Sequence, residues 1–144
     1  GVSDFKPGDE VYTRSVTGPG GFYAEYVAVD ASVSAPKPAG LDQAAAAAIP
    51  HAALTALNGL RDCGRLQAGQ HVLIAGASGG VGTFAVQIAR NMGARVTGTC
   101  STPNVELVNA LGADEVIDYT RQDVLEGTGL YDLVYDTVGA LPYP

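Results

Sequence analysis

The sequence predicts an α/β fold built on a parallel sheet, and three observations carry that expectation. In His71-Val-Leu-Ile-Ala75, the residues Val72 to Ala75 form a compact apolar run without alternation, as in a strand buried on both faces. Glycines follow, and then Val81, Phe84, Ala85, Ile88, Ala89 and Met92 recur at three- and four-residue steps, the mark of one helix face stopped by Gly93. From there strands and helices alternate in units of roughly 20 to 30 residues, which implies right-handed crossovers and the strand order 3-2-1-4.

The turn between that strand and that helix reads Gly76-Ala-Ser-Gly-Gly-Val-Gly82, with a core Ala77-x-Gly79-x-x-Gly82 and with Gly76 and Gly80 adding freedom. Strand, glycine turn and helix form the setting in which a dinucleotide fingerprint is credible, although the first glycine of the usual pattern is here Ala77. Gly79 is expected to let the backbone approach a pyrophosphate, and Gly82 to let helix and strand pack closely. Ser78 and Val81 complete the segment, where the helix N-terminus supplies unpaired N–H groups and a partial positive charge.

Composition bounds the alternatives. The chain has 144 residues, 47% of them hydrophobic, enough for a domain with a real core. A formal net charge of −7 and the lack of any Lys/Arg cluster argue against nucleic acid or an anionic membrane as the main partner. The longest apolar run, Ala44 to Ile49 and on past Pro50 and His51, is too short and broken to span a bilayer. No basic stretch leads into an apolar one at the N-terminus, so no secretory signal is expected. Cys63 and Cys100 lie far apart and outside any CxxC or metal spacing, which fits a reducing, cytoplasmic location and two free, buried thiols. A chain that starts at Gly1 and stops at Pro144 soon after a strand reads as a piece of something longer.

In order along the chain, Phe5 to Tyr12 is a turn at Pro7-Gly8 leading into a short strand, and residues 17–21 are a loop. Phe22 to Val29, aromatic and β-branched with alternating faces, is expected to be a strand. Residues 36–40 break the pattern and suggest a domain junction. Asp42 is placed to cap a short alanine-rich helix that Pro50 interrupts, and Ala52, Ala53, Ala56, Leu57 and Leu60 resume helical spacing. Beyond the fingerprint, Arg95 to Cys100 is a second strand, Pro103 opens a helix through Leu111 that Gly112 ends, and Glu115 to Tyr119 is a third strand. Asp123 to Glu126 suggests a helical turn, and Tyr131 to Asp136 a fourth strand.

Several of these segments, in this order, resemble the quinone oxidoreductase branch of the medium-chain dehydrogenase/reductase superfamily. The likeness is carried by residues 77–89, by Leu111-Gly-Ala-Asp-Glu-Val-Ile-Asp-Tyr119 and by Tyr131-Asp-Leu-Val-Tyr-Asp-Thr-Val-Gly139. It extends upstream through residues 6–12 and 22–27 and Leu54-Thr-Ala56. It implies an NADPH-dependent, zinc-independent (zeta-crystallin-like) reductase with a GroES-like catalytic barrel and a Rossmann domain. Residues 1–39 would then be the last part of the barrel, and residues 40–144 the first four strands of the Rossmann domain. The sheet strand Tyr131 to Asp136 would be internal in the whole fold, leaving its outer edge open here.

Cofactor choice is argued at the end of the second strand, where an acidic residue would bind the ribose 2′-hydroxyl of NAD. The sequence there is Thr99-Cys100-Ser101, with no carboxylate before Glu106, so nothing nearby would repel a 2′-phosphate and NADPH is the expected cofactor. The Ser101 hydroxyl and the Cys100–Ser101 backbone are candidates to hold it, or else Ser101 or Thr102 only caps the next helix. Tyr119 resembles the family tyrosine beside the 2′-phosphate, or it only packs. No Lys or Arg follows the strand before Arg121, unlike many relatives.

Thr55 matches a position that lines the nicotinamide in the superfamily; its other reading is a hydroxyl bonded to its own helix turn. His51, four residues earlier on the same face, is placed to protonate a nascent enolate, to stand where zinc-dependent relatives place a cysteine ligand, or to be structural. No second ligand accompanies it, so no metal is expected. Val138-Gly139 resembles the loop near the nicotinamide ribose, or is an ordinary turn, while Asp132 and Asp136 read as solvated or capping carboxylates. The expected activity is hydride transfer from NADPH to a quinone or an α,β-unsaturated carbonyl, by a full-length homo-oligomer. The alternatives are a zinc-dependent alcohol dehydrogenase with its ligands outside this chain, and a non-catalytic nucleotide-binding or crystallin-like protein.

Overall fold

The computed structural model describes residues 5–14, 21–124, 130–139 and 141. Residues 71–75 form the strand on which the larger unit is built. In chain order the elements are β1 (Val11–Thr13), β2 (Ser34–Pro36), α1 (Gln43–Leu57), β3 (His71–Ala75), α2 (Gly80–Asn91), β4 (Arg95–Cys100), α3 (Val105–Ala110), β5 (Glu115–Asp118) and β6 (Leu133–Asp136). Two compact units, residues 1–51 and 52–144, divide the chain between His51 and Ala52, inside α1.

In the second unit, β3 pairs in parallel with both β4 and β6, and β4 with β5, giving the sheet order β5-β4-β3-β6. This is the 3-2-1-4 order expected for an α/β Rossmann-type sheet. The register places Leu73 opposite Thr97 and Val134, so the apolar run of β3 lies between two neighbours. Val72, Leu73, Ile74 and Ala75 are all buried, which explains why this strand shows no alternation.

Helix α2 presents Gly82, Ala85, Val86 and Ala89 as its fully buried ridge, flanked by the partly buried Val81, Phe84, Ile88 and Met92. The buried face is therefore centred slightly to one side of the stripe read from hydrophobicity, taking in Val86 and Gly82, the latter against the Gly76–Ala77 turn. Gly93 ends the helix at φ 81°, and Gly112 closes α3 at φ 103°, both in the left-handed region that follows helix ends. Between β4 and α3, Thr102–Asn104 forms a 3₁₀ turn, so the helix expected from Pro103 begins as tighter coil before becoming α-helical at Val105.

Four further expectations are corrected. Phe22 to Val29 is not a strand: it is irregular and exposed, and no strand among the described residues lies beside it to share a ladder. Aromatic propensity cannot substitute for that missing ladder. Instead β1 pairs antiparallel with β2, setting Val11 opposite Pro36, so the proline read as a pattern breaker closes an edge strand, where no N–H is needed. Pro50 does not interrupt α1, which is continuous through it; Asp42 caps the first turn by accepting from the Ala45 N–H at 2.7 Å. Cys63 is exposed rather than buried, because α1 continues into a π-helical turn, Asn58–Cys63, closed by the Gly64 N–H donating to the Gly59 carbonyl at 2.8 Å.

The fourth sheet strand is shorter than expected, starting at Leu133. Asp132 still extends the pairing, its N–H donating to the His71 carbonyl and its carboxylate accepting from the His71 N–H, each at 2.8 Å. Residues 123 and 124 are not helical, and the rest of the turn expected at Asp123 to Glu126 lies outside the described residues.

Candidate functional site

The C-terminal ends of the four parallel strands carry the residues singled out by the sequence, as expected of a crevice at the switch between β3 and β6. Gly76 leaves β3 at φ 76°, a left-handed turn that L side chains rarely adopt. The glycine required for the tight turn is therefore Gly76, one residue before the alanine that stands first in the expected core. Thr99 ties this turn to β4: its carbonyl accepts from the Ala77 N–H at 2.8 Å and its hydroxyl from the Gly76 N–H at 3.2 Å.

Ala77 is fully buried, and room for it comes from β4, where a Cβ added at Gly98 would lie 2.8 Å from the Ala77 methyl. A Cβ on Gly82 would lie 2.1 Å from the Gly76 carbonyl oxygen and 2.8 Å from the Ala77 Cα, so only glycine admits this approach of helix to turn. Among the described residues, the nearest atom to a Cβ added at Gly79 is the Gly76 oxygen at 3.3 Å, and at Gly80 none lies within 4 Å. Space thus remains above the turn. The first helical bond of α2 runs from the Thr83 N–H to the Gly79 carbonyl, so the amides of Gly80, Val81 and Gly82 precede the ladder at the positive end of the helix. Ser78 is half-buried between them and β3. Chemically this is an anion cradle of main-chain donors.

Beside it, at the ends of β4 and β5, Ser101 and Tyr119 are brought close through the main chain, where the Tyr119 N–H donates to the Cys100 carbonyl at 3.1 Å. Tyr119 is just over half exposed. Ser101 occupies the capping position, yet its side chain makes no cap bond; it accepts from the Asn104 side-chain amide at 3.2 Å, leaving the hydroxyl proton available to donate. Cys100 is buried, and burial, with the nearby Asp118 carboxylate second, pushes its thiol pKa up, so it stays neutral.

Sequence reasoning missed Asp118 and Thr120 and considered Thr102 only as a helix cap. The expectation that nothing near the end of β4 would repel a 2′-phosphate is corrected: β5 brings the Asp118 carboxylate beside it. The Asp118 carboxylate accepts from the Thr102 hydroxyl at 2.6 Å and from the Thr120 hydroxyl and N–H at 2.7 and 3.0 Å. Those hydrogen bonds, led by that of Thr102, hold the Asp118 carboxyl below its ordinary pKa. The only sequence signal was two threonines flanking the ends of adjacent strands. After β6, Asp136 accepts from the Val138, Gly139 and Leu141 N–H groups at 2.9, 2.8 and 3.0 Å, which makes it the capping carboxylate expected and shapes the Val138-Gly139 loop. Thr137 closes the same loop onto the fingerprint strand, its hydroxyl donating to the Ala75 carbonyl at 2.7 Å.

Thr55 is half-buried, and its carbonyl accepts from the Tyr135 hydroxyl at 3.1 Å, which joins α1 to β6 within the second unit. His51 is exposed and belongs to the first unit, where its carbonyl accepts from Arg14 at 3.5 Å. Among the described residues no group of three or more His, Cys, Asp and Glu side chains is placed to hold a metal ion. No helix among them is long and apolar enough to cross a membrane.

Comparison with known proteins agrees with this geometry. The family described as Zinc-binding dehydrogenase matches residues 80–143. The mouse NAD(P)H oxidoreductase RTN4IP1, mitochondrial, is 43% identical over 96% of this chain, which spans 37% of that protein. An Arabidopsis thaliana NADPH-dependent alkenal/one oxidoreductase, chloroplastic, is 40% identical over 96% of this chain and 38% of its own length. The structure of the quinone oxidoreductase from Coxiella burnetii superposes with a TM-score of 0.78 at 34% identity, over 96% of this chain and 44% of that one. The chain therefore spans well under half the length of these relatives. With the 3-2-1-4 parallel sheet, the glycine turn and likeness along nearly all its length, this chain belongs to the medium-chain dehydrogenase/reductase superfamily, in its quinone oxidoreductase-like branch.

Proposed function

We propose that this chain is the cofactor-holding part of an NADPH-dependent, zinc-independent reductase of quinones or α,β-unsaturated carbonyls. The observation that carries the reading is the open cradle over Gly79 and Gly80 beside a β4 end whose own residues bear no carboxylate, the neighbouring Asp118 being occupied by the Thr102 and Thr120 hydroxyls. The relatives' names supply the chemistry: one is an alkenal/one oxidoreductase dependent on NADPH and another a quinone oxidoreductase.

When bound, NADPH supplies a hydride from its nicotinamide to an electrophilic carbon conjugated to a carbonyl. The protein's residues bind and orient. The amides of Gly80 to Gly82 face the pyrophosphate, with Ala77 and Ser78 forming the turn beneath it. Ser101, the Cys100 backbone and Tyr119 receive the 2′-phosphate, and Val138-Gly139 borders the nicotinamide ribose. Thr55 lines the ring, and His51 is the candidate proton donor.

In this reading residues 1–39 end a GroES-like domain and residues 40–144 begin the Rossmann domain. The full-length protein acts as a homo-oligomer in a reducing compartment, either cytoplasm or, as the two named relatives suggest, an organelle. A zinc-dependent alcohol dehydrogenase is the second reading, favoured by the description of the matching family and by the likeness to an NAD-dependent alcohol dehydrogenase structure.

Titration of the full-length protein with NADPH and NADH tests the cofactor assignment. NADPH binds more tightly, and Ser101→Asp reverses the preference by placing a charge against the 2′-phosphate. Equal or tighter binding of NADH by the unaltered protein overturns the assignment, and absence of turnover with a simple quinone or enone favours a non-catalytic protein.

A further inference from the structure

We propose that Thr102 is a specificity-determining positioning residue, whose hydroxyl, donating to the Asp118 carboxylate that also holds Thr120, locks the loops after β4 and β5 into one wall of the 2′-phosphate site. This rests on the reading of Ser101 and Tyr119 as that site and adds the device that holds them in register.

The bridge runs through the two oxygens of the Asp118 carboxylate. Thr102 Oγ1 is 2.6 Å from Asp118 Oδ2 and 2.9 Å from Thr120 Oγ1, and Thr120 Oγ1 is 2.7 Å from Asp118 Oδ1. Each hydroxyl has one proton, and both are drawn to the carboxylate, since charge-assisted bonds are the stronger, so the contact between the two threonine oxygens is one of proximity and not a third hydrogen bond. Asp118 ends β5 and Thr102 opens the 3₁₀ turn after β4, so the bridge spans the two strand ends. Each anchor is one residue from a proposed ligand, Thr102 from Ser101 and Asp118 from Tyr119. A main-chain bond from the Tyr119 N–H to the Cys100 carbonyl ties the same strand ends.

Loosening the bridge leaves the pyrophosphate cradle untouched, because that cradle is built on β3, its turn and α2. Binding of a dinucleotide without a 2′-phosphate, which draws on the cradle, is therefore spared. Thr102 approaches no proposed ligand directly; it acts through Ser101 and Tyr119.

The test uses the full-length protein carrying Thr102→Val, Thr102→Ser, Thr120→Val or Ser101→Asp, titrated with NADPH and with NADH. Thr102→Val, nearly isosteric, weakens NADPH about five- to tenfold and NADH less than about twofold, the loss of roughly one hydrogen bond. Thr102→Ser restores the NADPH affinity, and Thr120→Val reproduces the selective loss from the other side of the bridge should Thr102→Val fail to fold. Equal losses for the two nucleotides, or no loss, overturn the bridge. If Ser101→Asp leaves NADPH binding unchanged, the placement of the 2′-phosphate fails and the bridge's role falls with it. If Ser101→Asp acts and Thr102→Val does not discriminate, the bridge alone is refuted.

Discussion

The methyl group of Ala77 fills the space that a side chain at Gly98 would need: a Cβ there would lie 2.8 Å from the Ala77 Cβ and 2.8 Å from Val108 Cγ1. The alanine in the fingerprint and the glycine in the neighbouring strand are thus complementary. Gly98→Ala is expected to destabilise the protein by about 1–3 kcal/mol through overpacking. Adding Ala77→Gly recovers part of that loss, and a double-mutant cycle by chemical denaturation measures the coupling. Additive losses would show that the two positions do not compete for the same space.

Gly82 and Gly79 should respond differently to the same change. Gly82→Ala drives a methyl into the Gly76 carbonyl and unfolds or markedly destabilises the unit, since the clash is with backbone that cannot swing aside. Gly79→Val meets only that carbonyl at the edge of contact, 3.3 Å away, so secondary structure persists while the pyrophosphate loses its approach. Circular dichroism together with NADPH titration separates the outcomes. A folded Gly79→Val protein with full affinity would remove this turn as the binding site.

Asp114 provides a pH prediction. Its carboxylate accepts from the Val96 N–H at 2.8 Å and pairs with Arg90, and the Val96 bond is the chief cause of its lowered pKa. A depressed carboxyl contributes stability that is complete above its unfolded value, about 3.9, and is lost as pH falls through the lower folded value. Asp114→Ala should therefore cost about 1 kcal/mol at neutral pH, allowing for its exposure to solvent. The gap between variant and parent closes progressively below about pH 4. Urea denaturation across that range checks it, and a gap that widens in acid would contradict the sign.

Elemental analysis of the full-length protein is expected to find no stoichiometric zinc. One zinc per chain, retained through dialysis against a chelator, would instead establish the alcohol dehydrogenase reading.

The sequence by itself determined the strand–turn–helix at residues 71–91, the helix ends at Gly93 and Gly112, the Asp42 cap and the parallel order of the sheet. Each follows from a property written locally: unbroken apolar residues in β3, three- and four-residue spacing in α2, and left-handed freedom at the stops. Only the tertiary structure decided that Gly76 makes the tight turn, that Gly98 accommodates Ala77, and that Thr102, Asp118 and Thr120 close on one another. These are contacts between strands distant in the chain, and no local period records which side chains meet at adjacent strand ends. The same reason explains Phe22 to Val29, whose composition favours a strand but whose conformation depends on a neighbour with which to share hydrogen bonds. Pro50 inside α1 has a related cause: the cost of a proline within a helix is local, whereas the burial of its side chain is set by packing.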